Sequence, residues 1–529
     1  MSQPLPAPQD VAREIWHTSG WRPGFGPLLA AALALLLSIW TFDTKLSLSG
    51  DNAEFVILAR SLASGQGMTL INLPAPETAT KFPPGFPLLL APVAALSGSS
   101  GVDAGLRGVF AMKCLVMLIF AGSAAALYLY ARDLMGETKA VVASLLAVTG
   151  PFTVSYACQV MSEIPYLMWS LLALGLVERG LRRPGWRQNY YLWAGVGAMI
   201  LSCYTRSIGV ALVGAATICL LARRDWSRAL FISVTFLAGM VPWAIRNALA
   251  GGSTYSQQLF LADPYQPGQG QLDLAGILVR VGENMEQYGA GYVSQAILPA
   301  FPESPTIIAI TSVVAMLALA VTVLHCMWRR RHLLLLMYIL LYTAVLLVWP
   351  WSGTRFLVPI LPLIWILVVE SAADGLSQIR RRWTRNVAPG LVVVVCLLAL
   401  NLHGLGRVAH FNSFDYLPQW RNYYDAGLWL KRMTPSEAVV SCRKPFWLHL
   451  VSGRRTVAFA LEEPAVLLEE FDRAGVDYAI VDQLGPSHTG RFLVPAIYSK
   501  AERFRHVHQM HNPDTWIVSY ESDPETSTQ

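Results

Sequence analysis

"SLSGDNAEFVILARSLASGQGMTLINLPAPETATKFPPGFPLLL", residues 47–90, breaks the apolar texture of a 529-residue chain. It places Asp51, Glu54, Arg60 and Lys81 directly after a first hydrophobic run at 27–43. Around it, the chain is 54% hydrophobic and only 14% charged, where an ordinary soluble domain carries roughly 25% charged residues. That is the composition of an integral membrane protein. The formal charge of +6 comes in short basic clusters between apolar runs rather than along one face, which sets nucleic acid aside as a partner. Six of the seven cysteines lie inside apolar runs and no CxxC occurs, so there is neither a disulfide framework nor a zinc motif. No N-x-S/T acceptor occurs, which suits a bacterial chain better than a secretory-pathway one.

A helix needs about 20 apolar residues to cross the hydrocarbon core. Hydropathy gives about eleven spans, near 27–43, 108–131, 139–157, 163–178, 190–205, 207–222, 229–249, 305–328, 333–350, 355–371 and 387–403. The first run follows a long polar stretch and precedes no A-x-A-like site, so it reads as a retained anchor rather than a signal peptide. With the N-terminus cytoplasmic, the clusters "ERGLRRPGWRQ" (178–188), "RRDWSR" (223–228), "RRRH" (329–332) and "IRRRWTR" (379–385) all fall inside, as the positive-inside bias requires. The outer side then holds the loops 44–107 and 250–304 and everything after His403. This predicts a membrane unit over 1–403 and an extracytoplasmic α/β domain over 404–529. In that domain "EAVVSC", "VDYAIVD" and "TWIVSY" read as strands, and "EEPAVLLEEFDRAG" as an amphipathic helix ending at glycine. His506 and His508 form an H-x-H pair without a further ligand at suitable spacing, so surface histidines are the better reading than a metal site.

In the first outer loop, Phe55, Leu58, Ala59 and Leu62 recur at helical spacing, predicting a helix lying along the membrane. Asp51 or Asn52 would cap it, with Glu54 one turn on. Alternatively, Asp51 is a carboxylate at the mouth of a cavity that accepts or orients the proton of an incoming hydroxyl. Spacing alone does not separate the two. "KFPPGFP" stiffens the backbone and holds Lys81 at the interface, a point charge suited to phosphate. Lys81, Arg206, Arg246 and Arg355 are isolated cations near outer span ends. One such arginine ordinarily snorkels to the headgroups; four on one side are placed to converge on an anion. Loop 250–304, rich in Gly, Gln, Tyr and Pro, suits a mobile cover or a passive linker. Trp243, Trp349 and Trp351 read as an interfacial aromatic belt.

The order of "GDNAEFVILARSLASGQG", "KFPPGFPLLL", "MSEIPYLMWSLLAL", "YTRSIGVAL", "VPWAIRN" and "WSGTRFLVPILPL" resembles the GT-C superfamily of polytopic glycosyltransferases. Within it, the pattern is similar to the bacterial protein-mannosyltransferase and aminoarabinose-transferase-like group, over about residues 45–370. The resemblance implies a bacterial inner-membrane enzyme that moves one sugar, with inversion, from a polyprenyl-phosphate or diphosphate carrier to an outer acceptor such as lipid A, glycan, glycolipid or protein. Asp51 matches the family's first-loop acid and Glu163 a second acidic position, with Glu54 as a less certain helper. Lys81, Arg246, Arg355 and Arg206 are then the donor-phosphate binders, because a phosphate leaving group needs fixed cations in a dry site. Arg206 has a second reading, an ion pair with Glu163 that holds the bundle together. No cofactor is certain, and a divalent ion shared by Asp51 and Glu163 is left open. The rival readings are a transporter or lipid flippase, disfavoured by the lack of repeats and of midplane charges, and an inactive envelope-assembly scaffold.

Overall fold

A computed structural model of the chain describes residues 24–48, 50–97, 102–264, 269–297, 304–382, 388–485 and 487–522. The polar stretch before the first span and the end of the basic cluster at 379–385 lie outside the described residues. The described residues run from α1 (Phe25–Trp40) through the 44–107 loop as α2 (Gly50–Ala63), a short antiparallel pair β1 (Thr69–Leu70) and β2 (Glu77–Thr78), and α3 (Gly85–Leu96). A block of helices follows: α4 (Val102–Met135), α5 (Glu137–Val148), α6 (Pro151–Ala157), α7 (Glu163–Leu181), α8 (Tyr190–Thr205), α9 (Val210–Ala222) and α10 (Trp226–Leu249). The 250–304 loop contains α11 (Thr254–Phe260), α12 (Leu274–Gln287) and α13 (Val293–Ile297), and the membrane part closes with α14 (Pro305–Arg329), α15 (Leu333–Val348), α16 (Leu361–Arg382) and α17 (Ala388–Ser413).

Every one of the eleven expected apolar segments falls on a helix. By length and apolarity, five of the described helices suffice to cross a bilayer, or six if α5 and α6, bent by 64° where Gly150-Pro151 interrupts them, form one broken span. Others are short: α1 and α15 have 16 residues each, about 24 Å of helix against a core about 30 Å thick. The apolar pattern thus located the helices, while the span count of eleven exceeds the number that meet a spanning length.

Two glycines fix how the helix ends near the 44–107 loop meet. At Gly85 a Cβ would sit 2.8 Å from the Tyr204 carbonyl oxygen, so the first turn of α3 can press against the end of α8 only without a side chain. At Gly209 a Cβ would come within 2.7 Å of the Cys203 nitrogen. The chain therefore doubles back immediately after α8 and leaves Arg206 extended, φ −149° and ψ 130°, between α8 and the following 3-10 turn.

The last part of the chain runs α18 (Pro418–Met433), β3 (Val439–Ser441), α19 (Pro445–Ser452), β4 (Arg455–Val457), α20 (Pro464–Ala474), β5 (Tyr478–Val481), α21 (Val494–Ser499), β6 (Phe504–Met510) and β7 (Thr515–Tyr520). Its five strands form one sheet in the order β4-β3-β5-β7-β6, parallel across the first three and antiparallel beyond. All four expected elements appear, and α20 ends at Gly475 with φ +63°, the left-handed cap that glycine favours. A small core of Leu467, Phe471, Ala479, Val481 and Val518 fills the face of the sheet that α20 covers. The H-x-H pair straddles an irregularity in β6, and His508 stacks on Trp429 at 5.1 Å, the contact of a packed side chain.

This sheet unit covers α2. The helix does not present a single apolar face, because residues 52–59 are all buried. α3 packs on one side and α19 from the sheet unit on another. Thr456 donates its amide to the Asn72 carbonyl at 2.7 Å, and the Asn72 amide group returns a bond to the Thr456 carbonyl at 3.1 Å. Hydropathy could not show this burial, since the covering residues lie almost 400 positions downstream.

Candidate active site

Five separate chain segments bring six charged side chains into one chain of alternating sign. Lys81 lies 2.8 Å from Glu54 and 3.2 Å from Asp51; Asp51 meets Arg355 at 2.7 Å. Glu163 lies 3.4 Å from the Arg355 Nε and 2.7 Å from Arg206, contacts of charge rather than aligned hydrogen bonds. Arg206 also donates to the Ser162 hydroxyl at 3.0 Å. The order is Glu54, Lys81, Asp51, Arg355, Glu163, Arg206: three carboxylates and three cations.

Each segment places its group for a local reason. Asp51 and Glu54 share one face of α2 one turn apart, and Phe55 packs its ring on Phe82 at 4.3 Å and Phe86 at 4.9 Å, which docks the "KFPPGF" turn against that helix. Glu163 opens α7, where its charge favours the positive end of the helix dipole. Arg355 sits in a 3-10 turn, Thr354–Leu357, whose Phe356 carbonyl accepts a 2.8 Å bond from the buried Tyr342 hydroxyl.

Burial divides the network into two layers. Glu54 and Glu163 are 4% and 0% exposed, whereas Lys81, Arg355 and Asp51 are 30%, 26% and 22% exposed. Two buried acids hold two open cations with the open Asp51 between them. Burial raises the Asp51 carboxyl, but Lys81 and Arg355 more than offset it, leaving the group well below the usual carboxylate range. Glu54 goes the other way: burial pushes it up, and Lys81 only partly compensates. Burial also opposes the charge on Lys81, yet Glu54 and Asp51 raise its ammonium above its ordinary value. Asp51, Lys81 and Arg355 are therefore all charged at neutral pH.

The structure brings together Asp51, Glu54, Glu163, Lys81, Arg206 and Arg355, and separates Arg246. Arg246 is spent on backbone: its guanidinium donates to the Ala79 carbonyl at 2.5 Å and the Met68 carbonyl at 3.1 Å, over the Trp243 ring. It braces the β1–β2 segment that leads into Lys81 and is not placed as a phosphate ligand. Arg206 pairs with Glu163, the second of its two readings, and 15% of its side chain stays exposed. Glu54 acts as an ion-pair partner instead of a capping acid.

Sequence reasoning missed two neighbours. Tyr255 on α11 is close enough for Lys81 and Arg206 to act on its phenol, and its ring meets Trp349 at 5.3 Å. Thr254 beside it shares a 2.8 Å hydrogen bond with Thr80. The 250–304 loop thus packs a helix against the site, and Trp349 stands beside it. Lys444, at the start of α19, lies within electrostatic reach of Asp51. No motif marks Tyr255 or Lys444 in the sequence.

A cavity of about 740 Å³ lies beside the network rather than on it, lined by Ser47, Leu48, Gln159, Arg407 and Phe411 among others. Ser47 donates to Gln159 at 3.1 Å on its wall, four residues before Asp51. A divalent ion bridging Asp51 and Glu163 does not fit this arrangement, because Arg355 already stands between the two carboxylates. Among the described residues no group of three or more His, Cys, Asp or Glu is placed to hold a metal.

Residues 81–245 match the family model of dolichyl-phosphate-mannose-protein mannosyltransferases. No curated protein matches the chain by sequence. Solved structures do match in fold. The oligosaccharyltransferase AglB from Archaeoglobus fulgidus, in complex with an inhibitory peptide and a dolichol-phosphate, superposes with a TM-score of 0.59 at 13% identity, over 96% of this chain and 75% of that one. ArnT from Cupriavidus metallidurans bound to undecaprenyl phosphate gives a TM-score of 0.52 at 14% identity, over 94% of this chain and 98% of that one. Over residues 81–245 the chain is thus similar to dolichyl-phosphate-mannose-protein mannosyltransferases, and it shares its fold with AglB and ArnT.

Proposed function

We propose that this protein transfers a sugar from a polyprenyl-phosphate or diphosphate carrier to an extracytoplasmic acceptor, with inversion at the anomeric carbon. The observation that carries the reading is the open face of Asp51, Lys81 and Arg355, held from below by buried Glu54 and Glu163. Lysine offers three donors and arginine five, so Lys81 and Arg355 keep donors for a phosphate while paired. The structures similar in fold that hold dolichol-phosphate and undecaprenyl phosphate support a carrier of that class.

The charges suggest an order of events. In the free protein Asp51 is too acidic to be an effective base, because Lys81 and Arg355 both stabilise its anion. A donor phosphate draws those two cations toward itself and raises the carboxyl toward a range where it accepts a proton. The acceptor oxygen then attacks the anomeric carbon and its proton passes to Asp51. The bond from anomeric carbon to phosphate oxygen breaks with its electron pair, and the phosphate leaves onto Lys81 and Arg355. We assign the 740 Å³ cavity next to the Asp51 segment to acceptor approach.

Soaking or co-purification with a polyprenyl phosphate tests the reading. The phosphate is expected within hydrogen-bond reach of Lys81 and Arg355; density for it remote from both would overturn the assignment.

A further inference from the structure

α7 joins two charged regions. Its first residue, Glu163, lies in the candidate active site, and its 19 residues carry the chain about 28 Å to the opposite end of the helical body. There a cavity of about 210 Å³ is lined by Glu178, Arg182, Arg223, Arg330 and His332 with three leucines. Arg182 follows α7, Arg223 follows α9, and Arg330 and His332 form the turn between α14 and α15.

Three features distinguish this cavity from a scatter of snorkelling arginines. Three guanidinium groups face one carboxylate, and none of the three makes a hydrogen bond or ion pair among the described residues. Glu178 is itself engaged, accepting a 3.1 Å bond from the Tyr130 hydroxyl. The His332 imidazole is 9% exposed, with its Nε2 4.0 Å from a Glu370 carboxyl oxygen. Finally, the turn that delivers Arg330 and His332 holds both in left-handed backbone, φ +51° and +53°, a conformation uncommon outside glycine and often found at ligand sites.

We propose that this cavity binds a phosphate-bearing anion, the headgroup of an anionic phospholipid in the leaflet at that end of the protein. Basic pockets between helix ends are suited to such headgroups, and arginine grips a phosphate through paired donors. The flanking helices supply the acyl surface, since Leu324 and Trp328 of α14 are 65% and 88% exposed. The site is separate from sugar transfer and does not depend on it.

Native mass spectrometry of the delipidated full chain, titrated with phosphatidylglycerol or phosphatidylcholine, tests this. The wild type is expected to retain phosphatidylglycerol preferentially. The triple variant Arg182→Gln, Arg223→Gln, Arg330→Gln is expected to weaken that binding by about fivefold per charge removed. A control pair at the same end but off the cavity, Arg224→Gln with Arg329→Gln, is expected to bind like the wild type. Because these arginines are exposed, an unchanged thermal midpoint without lipid verifies folding. Millimolar inorganic phosphate is expected not to displace the lipid; displacement would make the ligand a free phosphate and overturn the lipid assignment. Equal lipid retention by the wild type and the triple variant would overturn the site altogether.

Discussion

The two ends of α7 solve the problem of charge in an apolar chain in opposite ways. At the Glu163 end every cation of the network has an acid within 3.4 Å and the deepest acids are buried. At the Arg182 end, arginines stand exposed around a cavity without paired acids. An exposed arginine keeps its hydration and costs little. A buried carboxylate such as Glu163 persists only because cations compensate its desolvation, and removing one partner of such a pair typically costs about 3–5 kcal/mol. Changes at the first end should therefore damage function or folding, and changes at the second should not.

The largest expected effect is at Asp51. Asp51→Asn keeps the shape but removes the charge shared by Lys81 and Arg355, and loss of a proton-accepting group lowers turnover by roughly 100-fold or more. A transfer assay on the purified variant checks this; turnover near wild type would make Asp51 a structural acid. Glu163→Gln should instead reduce stability, leaving Arg206 and Arg355 without their buried partner. Adding Arg206→Met to it should recover part of the thermal midpoint, because an uncompensated charge is then removed. No recovery would mean that the pair is not coupled.

Lys81→Met comes next, with donor affinity about tenfold or more weaker, in line with the loss of a hydrogen bond to a charged group. Lys81→Arg should restore part of it. Arg246→Gln should be milder, a few-fold rise in donor KM through loosening of the Met68–Ala79 segment it braces. If Arg246→Gln proved as severe as Lys81→Met, Arg246 would be a direct ligand after all.

Acidity separates the two acids of α2. The Glu54 carboxyl lies above its ordinary value and Asp51 far below its own. As pH falls, Glu54 takes up a proton first and Lys81 loses one partner, while Asp51 and its contribution to stability persist to much lower pH. The acid limb of the donor-binding profile should thus follow Glu54. It should be flattened in Glu54→Gln and moved to lower pH in Asp51→Asn, which removes a charge that raises Glu54, as a titration of donor KM against pH would show.

The contrast between the two ends also bears on what is legible in the sequence. The apolar runs, the basic clusters and the strands of "EAVVSC", "VDYAIVD" and "TWIVSY" are readable because each is a local pattern. The order of Asp51, Lys81, Glu163, Arg206 and Arg355 along the chain is readable as a resemblance. That Arg355 touches both acids is not, because Asp51 and Arg355 lie 304 positions apart, in segments that hydropathy treats as separate. Arg246 escapes for a similar reason. It does lie in the last turn of its helix, but its donors are consumed by carbonyls that carry no sequence signal. Burial of α2 depends on α19, and Tyr255 and Lys444 enter the site from segments with no motif.

The central claim is that Asp51 serves sugar transfer at the outer face, and envelope mass spectrometry tests it whichever acceptor is used. A deletion strain should lack one sugar modification found on a lipid, glycan or protein of the parent. The wild-type chain should restore it and an equally expressed Asp51→Asn chain should not. Full restoration by Asp51→Asn would contradict the account.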